Sequence, residues 1–225
     1  MQAQRFFVCC AGVAPFLAAT FIIVIIAAVI APANNFGALL FSFHPILMTF
    51  AFVCCMPFAI NTYRLESLIA QNNNTATRSV SVLRRSHMTW QITAGVSTIA
   101  GVAIIIINKV IHAHPAWSTS LHATMGFVTV AGVLVQSSIG MLKVRAVERN
   151  GQKVHKWHGL FGLVVYSSGV VALCLGAAQA LSPPFSILVI FSAVLVWLIV
   201  AITRVALPFP TDGETMDTTN LMDED

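Results

Sequence analysis

The sequence predicts an all-α integral membrane protein with six transmembrane helices, and three observations predict it. Hydrophobic residues make up 57% of the chain and charged residues 9%, which leaves too little polar surface for a soluble domain of this length. The apolar residues fall in blocks of bilayer length, for which about 20 residues suffice. Most of the basic residues gather in two of the connections between blocks. Backbone groups in lipid must be satisfied internally, so the blocks are helices. Their long apolar runs show too little alternation for a barrel.

The spans are read at 6–31, 38–62, 84–108, 119–141, 157–181 and 185–206. The first could be confused with a signal peptide, because Ala31-Pro32-Ala33 looks like a cleavage site. Its apolar run from Phe6 to Ile30 exceeds the roughly 7–15 residues of a signal core, so a retained anchor is the better reading. Spans 5 and 6 are joined by Ser182-Pro183-Pro184, a tight turn that sets the helices antiparallel. The connection from Glu66 to Ser81 is polar and contains the sequon Asn73-Asn74-Thr75. Residues 1–210 are thus read as one transmembrane domain, and 211–225 as an acidic, disordered tail. Spans 2–3 and 4–5 echo one another loosely, without a clear repeat.

The net charge of +4 does not point to nucleic acid, because its distribution follows the membrane. Arg64, Arg78, Arg84 and Arg85 gather between spans 2 and 3, and Lys143, Arg145, Arg149, Lys153 and Lys156 between spans 4 and 5. The positive-inside rule places these connections and both termini in the cytoplasm. The sequon then stays unmodified. An endomembrane, endoplasmic reticulum or vesicle, is expected over the plasma membrane. Cys9, Cys10, Cys54, Cys55 and Cys174 all lie in apolar segments, without a CxxC pair or a CxxCH haem-attachment sequence, and read as packing residues.

Four histidines, His44, His87, His122 and His158, each sit near the start of a different span, from span 2 to span 5. An imidazole is costly in hydrocarbon, so each marks a functional site by default. The alternating helix directions put His44 and His122 near the non-cytoplasmic face, and His87 and His158 near the cytoplasmic face. Structural zinc takes four ligands and catalytic zinc usually three. No Asp or Glu lies in any span, which argues against a divalent-cation transporter or a carboxylate proton relay. A b-type haem, held by two axial imidazoles and bounded by apolar surface, fits better, and two are expected per chain. Gly126 and Gly162, each four residues after a histidine, would leave room for a porphyrin plate, although small residues also serve helix packing. His155 competes with His158, which lies nearer the apolar span and is preferred. His112 and His114 are read as solvated.

These residues resemble the cytochrome b561 family of transmembrane di-haem reductases, over nearly the whole chain and closest to its short six-helix branch. The likeness rests on Leu40-Phe41-Ser42-Phe43-His44-Pro45-Ile46-Leu47-Met48, His87 with Gln91, His122 with Gly126, and Lys156-Trp157-His158 with Gly162. The resemblance implies a central bundle of spans 2–5 in which His44 and His122 hold one haem, and His87 and His158 the other. It implies a cytoplasmic donor, ascorbate, and an acceptor across the membrane, monodehydroascorbate radical or ferric iron. It implies donor contacts at the basic cytoplasmic mouth, where Tyr63-Arg64 looks like the remnant of a longer motif and Arg84 matches a lysine position. Arg85, Lys153 and Lys156 are candidates there by position, although membrane topology explains such charges equally well. Ser120 belongs to a Ser-Leu-His sequence similar to the acceptor-site motif.

The expected function is therefore transmembrane electron transfer by an oxidoreductase, with the lipid bilayer and small redox molecules as partners and a homodimer allowed. A transporter with a histidine-lined path predicts intramembrane acids, or spans broken in matching halves, and Pro57 has no such counterpart. A haem-binding sensor or assembly subunit without turnover remains the other alternative.

Overall fold

The computed structural model describes residues 36–62, 80–113, 119–150, 157–181 and 183–206, and all secondary structure among them is helical. The first predicted span, most of the Glu66–Ser81 connection, the acidic tail, and Arg64, His114, Lys153, His155 and Lys156 lie outside the described residues. Helix α1 spans Phe36–Thr49 and passes into a π-helical turn at Phe50–Cys55 before the chain continues helically to residue 62. Helices α2 (Val80–Ile111), α3 (Leu121–Asn150), α4 (His158–Ala180) and α5 (Pro183–Ala206) follow. Five helical stretches are therefore long and apolar enough to cross a membrane. They match predicted spans 2–6 in order.

The π turn has a cause in the sequence. Pro57 has no N–H, and its ring would press on the carbonyl four residues back. The turn just before it widens, and the Met56 N–H bonds to Ala51 O, five residues back. Ala51 through Cys55 are all buried, so the wide turn packs against neighbours on every side.

Helices α2 and α3 overrun their predicted ends, the first by four residues and the second by nine. At 1.5 Å per residue they reach about 45 Å, beyond the roughly 30 Å hydrocarbon layer. Lys143, Arg145 and Arg149 therefore ride on a helical extension of α3, and Arg84 and Arg85 lie in the second turn of α2. Hydropathy marks the edge of the lipid, and nothing in these residues breaks a helix there. The other end of α2 does stop sharply. His112 N–H returns to Asn108 O, and Ala113 takes a left-handed φ of 55°, the usual C-terminal device though more often made by glycine. Ser120 Oγ accepts from Ala123 N–H at 3.2 Å and caps α3. Pro183 opens α5, where a missing N–H costs nothing.

Around a ring, α1 packs on α2, α2 on α3, α3 on α4, and α4 on α1, whereas the diagonals α1/α3 and α2/α4 hardly touch. That is a four-helix bundle. Helix α5 lies outside it against α4, through a face formed by Val189, Ala193, Val196 and Val200. Trp197 Nε1 donates to Ser167 Oγ at 2.8 Å and fastens the two helices. The opposite face exposes Ile187, Phe191, Leu198 and Ile202, and α2 likewise exposes Ile92, Val96 and Ile99. A bilayer covers such an apolar exterior.

Close approach at the bundle centre depends on one glycine. The Phe52 ring of the π turn lies directly over Gly169 of α4, in the space a β-carbon would take. Phe52 is 3% exposed and cannot step aside. Gly169→Ala should therefore cost about 1–3 kcal/mol by overpacking, read as a lower melting temperature in detergent. Adding Phe52→Leu should restore part of the loss, and strictly additive effects would contradict the contact.

Candidate functional site

At one end of the bundle, His44 of α1 and His122 of α3 face each other across its diagonal. Their ring centroids are 6.2 Å apart and the rings are nearly perpendicular, at 83°. His44 Nδ1 lies 2.9 Å from Gly101 O of α2, and His122 Nδ1 lies 2.8 Å from Ala172 O of α4. A carbonyl only accepts, so each Nδ1 carries the proton and each Nε2 keeps a lone pair. This is how a metal-binding imidazole is oriented and its basicity raised.

Small residues make these contacts possible. A β-carbon on Gly176 of α4 would come within 2.6 Å of His122 Cε1 and 2.9 Å of its Nδ1. One on Gly101 would meet Met48 Cε at 2.8 Å and Leu47 Cβ at 3.4 Å, closing the approach of α1 to α2 that lets His44 reach the carbonyl. The pair opens on a cavity of about 930 Å³, lined in part by Ser42, Thr49, Phe127, Gly126 and Leu173. No atom lies within 4 Å of a β-carbon built on Gly126, as expected for a glycine that leaves space. Thr49 Oγ1 is buried on this wall without a hydrogen-bond partner. Lys109, His112, Ser120 and Gln179 line the cavity as well. Ser120 is thus both the cap of α3 and a cavity residue, and His112, though exposed, is more than a solvated side chain.

At the opposite end the two histidines again come from diagonal helices, α2 and α4. His87 Nδ1 lies 2.7 Å from Ala59 O of α1, which again leaves the lone pair on Nε2. His158 is held by α3. The Gln136 amide nitrogen donates to His158 O at 2.9 Å and lies 3.3 Å from His158 Nε2. An amide N–H only donates, so that Nε2 accepts. A β-carbon on Gly140 would lie 3.3 Å from the His158 ring. Gly162, expected to leave room for a flat ligand, instead faces Gln136, whose Nε2 would lie 2.6 Å from a β-carbon there. Buried oxygens of Asn61, Gln136 and Tyr166, from three different helices, have no hydrogen-bond partner. Such atoms call for a polar guest or water.

The basic candidates divide. Arg84 of α2 forms an ion pair with Glu148 of α3 at 3.9 Å and is half-buried, while Arg85 is exposed. Sequence reasoning missed Glu148 as a partner, and it missed Gln136, Gly140 and Gly176, whose importance depends on which helix lies opposite. It also passed over Arg204 of α5, whose Nη1 donates to Gly159 O at 2.6 Å, next to His158.

The donor set suits haem better than a bare ion. Among the described residues no group of three His, Cys, Asp or Glu side chains could hold a metal. His44 and His122, whose ring centroids lie 6.2 Å apart, are the two imidazoles that would hold such a group at this end. The family model described as eukaryotic cytochrome b561 matches residues 43–182, more than half of the chain. The chain belongs to the cytochrome b561 family. Members of this family are b-type haem proteins, and the chain is a multi-pass membrane protein. It is also similar to the proteins named transmembrane reductase CYB561D2 in Mus musculus, Homo sapiens and Bos taurus. Each is 29% identical over 143 residues, covering 62% of this chain and 62% of the relative. The match thus spans less than two thirds of the length of these relatives.

Gly176→Ala should push the His122 ring from its place and lower the haem-to-protein ratio of the purified protein. Gly95→Ala is the control, since a β-carbon there meets nothing within 4 Å, and it should leave that ratio unchanged. Equal ratios in the two variants would contradict the role given to Gly176.

Proposed function

We propose that this chain is a transmembrane reductase that passes single electrons between two b-type haems, one held by His44 and His122 and the other by His87 and His158. The observation that supports the proposal is the His44–His122 pair facing across one bundle diagonal, each ring held at Nδ1 by a carbonyl so that Nε2 keeps its lone pair, with His87 and His158 on the two helices of the other diagonal. A haem held by two imidazoles exchanges one electron at a time and has no open position for oxygen chemistry. The chain's own work is to hold the four imidazoles, exclude water between the two ends and steer redox partners. Carbonyls of Gly101, Ala59 and Ala172 hold three rings at Nδ1, and the Gln136 amide, 3.3 Å from His158 Nε2, contacts the fourth. Between the ends, Phe52, Val133, Val165, Tyr166 and Val170 form a packed interior. The relatives' name, transmembrane reductase, supports the same activity.

The donor proposed is ascorbate on the cytoplasmic side, and the acceptor is monodehydroascorbate radical or ferric iron on the other. Arg84, Arg85 and the basic residues Arg64, Lys153 and Lys156 would draw in the donor anion, and Ser120 would line the acceptor side. Both termini are proposed to be cytoplasmic, in an endomembrane, with a homodimer allowed.

The purified protein should show a reduced-minus-oxidised spectrum of low-spin b-type haem, with two haems per chain. His44→Ala and His122→Ala should each remove one half of the signal, and His87→Ala and His158→Ala the other half. A colourless wild-type protein, or full haem content in all four variants, would end the proposal.

The ion pair gives a kinetic expectation for the donor. Arg84→Gln should raise the KM for ascorbate roughly threefold by weakening attraction of the anion, and Glu148→Gln should lower it by a similar factor. Stopped-flow reduction against ascorbate concentration reads both. Identical KM values would remove Arg84 from the donor site.

A further inference from the structure

The chain contains eight acidic residues, and six of them, Asp212, Glu214, Asp217, Asp223, Glu224 and Asp225, lie in residues 211–225, which hold no lysine or arginine. The opposite charge gathers at the end of the bundle that carries His87 and His158. Arg145, Glu148 and Arg149 fall three and four residues apart on α3 and so share one helix face. Glu148 reaches Arg84 of α2 at 3.9 Å, and Arg85 follows Arg84 directly. Four arginines against one glutamate leave three positive charges on this surface. Arg85, Arg145 and Arg149 are exposed and form no ion pair among the described residues. Two further cations at this end are engaged within the bundle. Lys143 is half-buried and its charge is felt at His87, and Arg204 donates to Gly159 O.

The acidic segment is rooted at the same end. Arg204, near the end of α5, bonds to the first turn of α4. That turn meets α3 through Gln136, and α3 meets the start of α2 through Glu148 and Arg84. The chain therefore leaves Ala206 beside the helix ends that carry the arginines. Asp212 follows six residues later and Asp225 nineteen, within about 20 Å and about 65 Å of extended chain. A tether this short holds the acids at an effective concentration on the order of millimolar. Exposed ion pairs are weak singly and matter when several form together.

We propose that residues 211–225 dock on the surface formed by Arg84, Arg85, Arg145 and Arg149, and compete there with the anionic electron donor. The competition rests on the donor reading above, whereas the docking does not. Carboxylates of the segment and a donor anion are drawn by the same guanidinium charges. The docked segment therefore raises the donor concentration needed for half-maximal reduction and leaves the rate at saturation unchanged.

Docking is read by a glutamate-specific protease acting on the full chain in phosphatidylcholine nanodiscs, with the cut after Glu214 followed by mass spectrometry. The double variant Arg145→Gln, Arg149→Gln should be cut about fivefold faster, because the segment is released. Glu148→Gln removes the acid within the cluster and should slow the cut, an opposite effect that loosened folding would not produce. Salt near about 1 M, where the screening length falls to about 3 Å, should bring wild type and double variant to equal rates. Equal rates at low salt overturn the docking. So do equal rates accompanied by loss of phosphatidylserine binding in the double variant, which would assign the arginines to lipid headgroups. Competition is read from the KM for ascorbate in stopped-flow reduction. Exchange of the six acids for their amides should lower that KM about threefold, and hardly at all when Arg145→Gln and Arg149→Gln are also present. An equal fall in both backgrounds would trace the effect to net charge and overturn the competition, as would an unchanged KM. Failure of ascorbate to reduce the wild type would overturn the donor reading itself, and the protease result would still decide the docking.

Discussion

A histidine placed in hydrocarbon has two nitrogens to satisfy, and the architecture follows from how this chain satisfies one of them. In three of the four cases Nδ1–H is bonded to a backbone carbonyl on a neighbouring helix. A helical carbonyl already accepts one bond within its own helix and has a second lone pair to offer. The ring can reach that lone pair only if the two helices come close. The three acceptors are Gly101, Ala59 and Ala172, residues whose side chains take little space. Close packing of ring neighbours therefore orients the imidazoles, and their Nε2 atoms are left to face across the diagonals. The tautomer that favours metal binding is a consequence of helix packing.

Much of this was legible in the sequence because the cost of an imidazole in lipid makes its position conspicuous. His44, His87, His122 and His158 stand out against apolar spans, and the alternation of helix direction separates them into two ends. Spans 2–6 were legible for the same reason, since a hydrocarbon layer demands a minimum apolar length. Helix ends were not legible. Arg145 and Arg149 lie beyond the predicted span without leaving the helix, so a polar residue marks the lipid boundary and says nothing of the backbone. The partners of the histidines were hidden too. Gly176 matters because His122 lies against it, and Gln136 because His158 and Gly162 do. Glycine and a lone amide carry no signature until the opposite helix is known.

The two ends are built differently. The His44–His122 pair is held by carbonyls alone and borders a large cavity with Thr49 Oγ1 on its wall. At the other end His87 is held by a carbonyl and His158 meets the Gln136 side chain, with Asn61 and Tyr166 oxygens buried in the same bundle. A side chain that holds a ring is more adaptable than a backbone carbonyl, because it can rotate about several bonds. The π turn adds a further asymmetry along the axis. It places buried Phe52 against Gly169, at the wall of the His44–His122 cavity, so the apolar core begins where that cavity ends.

That dry core bears on what can pass from one end to the other. A proton needs a chain of groups able to bind and release it, and charged side chains are the usual means within membranes. None of the predicted spans contains an acid. The interior between the histidine pairs is instead made of Phe52, Val133, Val165 and Val170. Its other hydroxyls close on near neighbours, Thr98 on Ala94 O and Thr129 on Ser168, while the Tyr166 hydroxyl has no hydrogen-bond partner. An electron needs no such chain, since it can cross packed apolar matter without a polar path. Low polarizability in that matter also leaves charges at the ends less screened than in water. The absence of acids in the predicted spans, first a reason to doubt a transporter, thus agrees with the electron transfer proposed for this bundle.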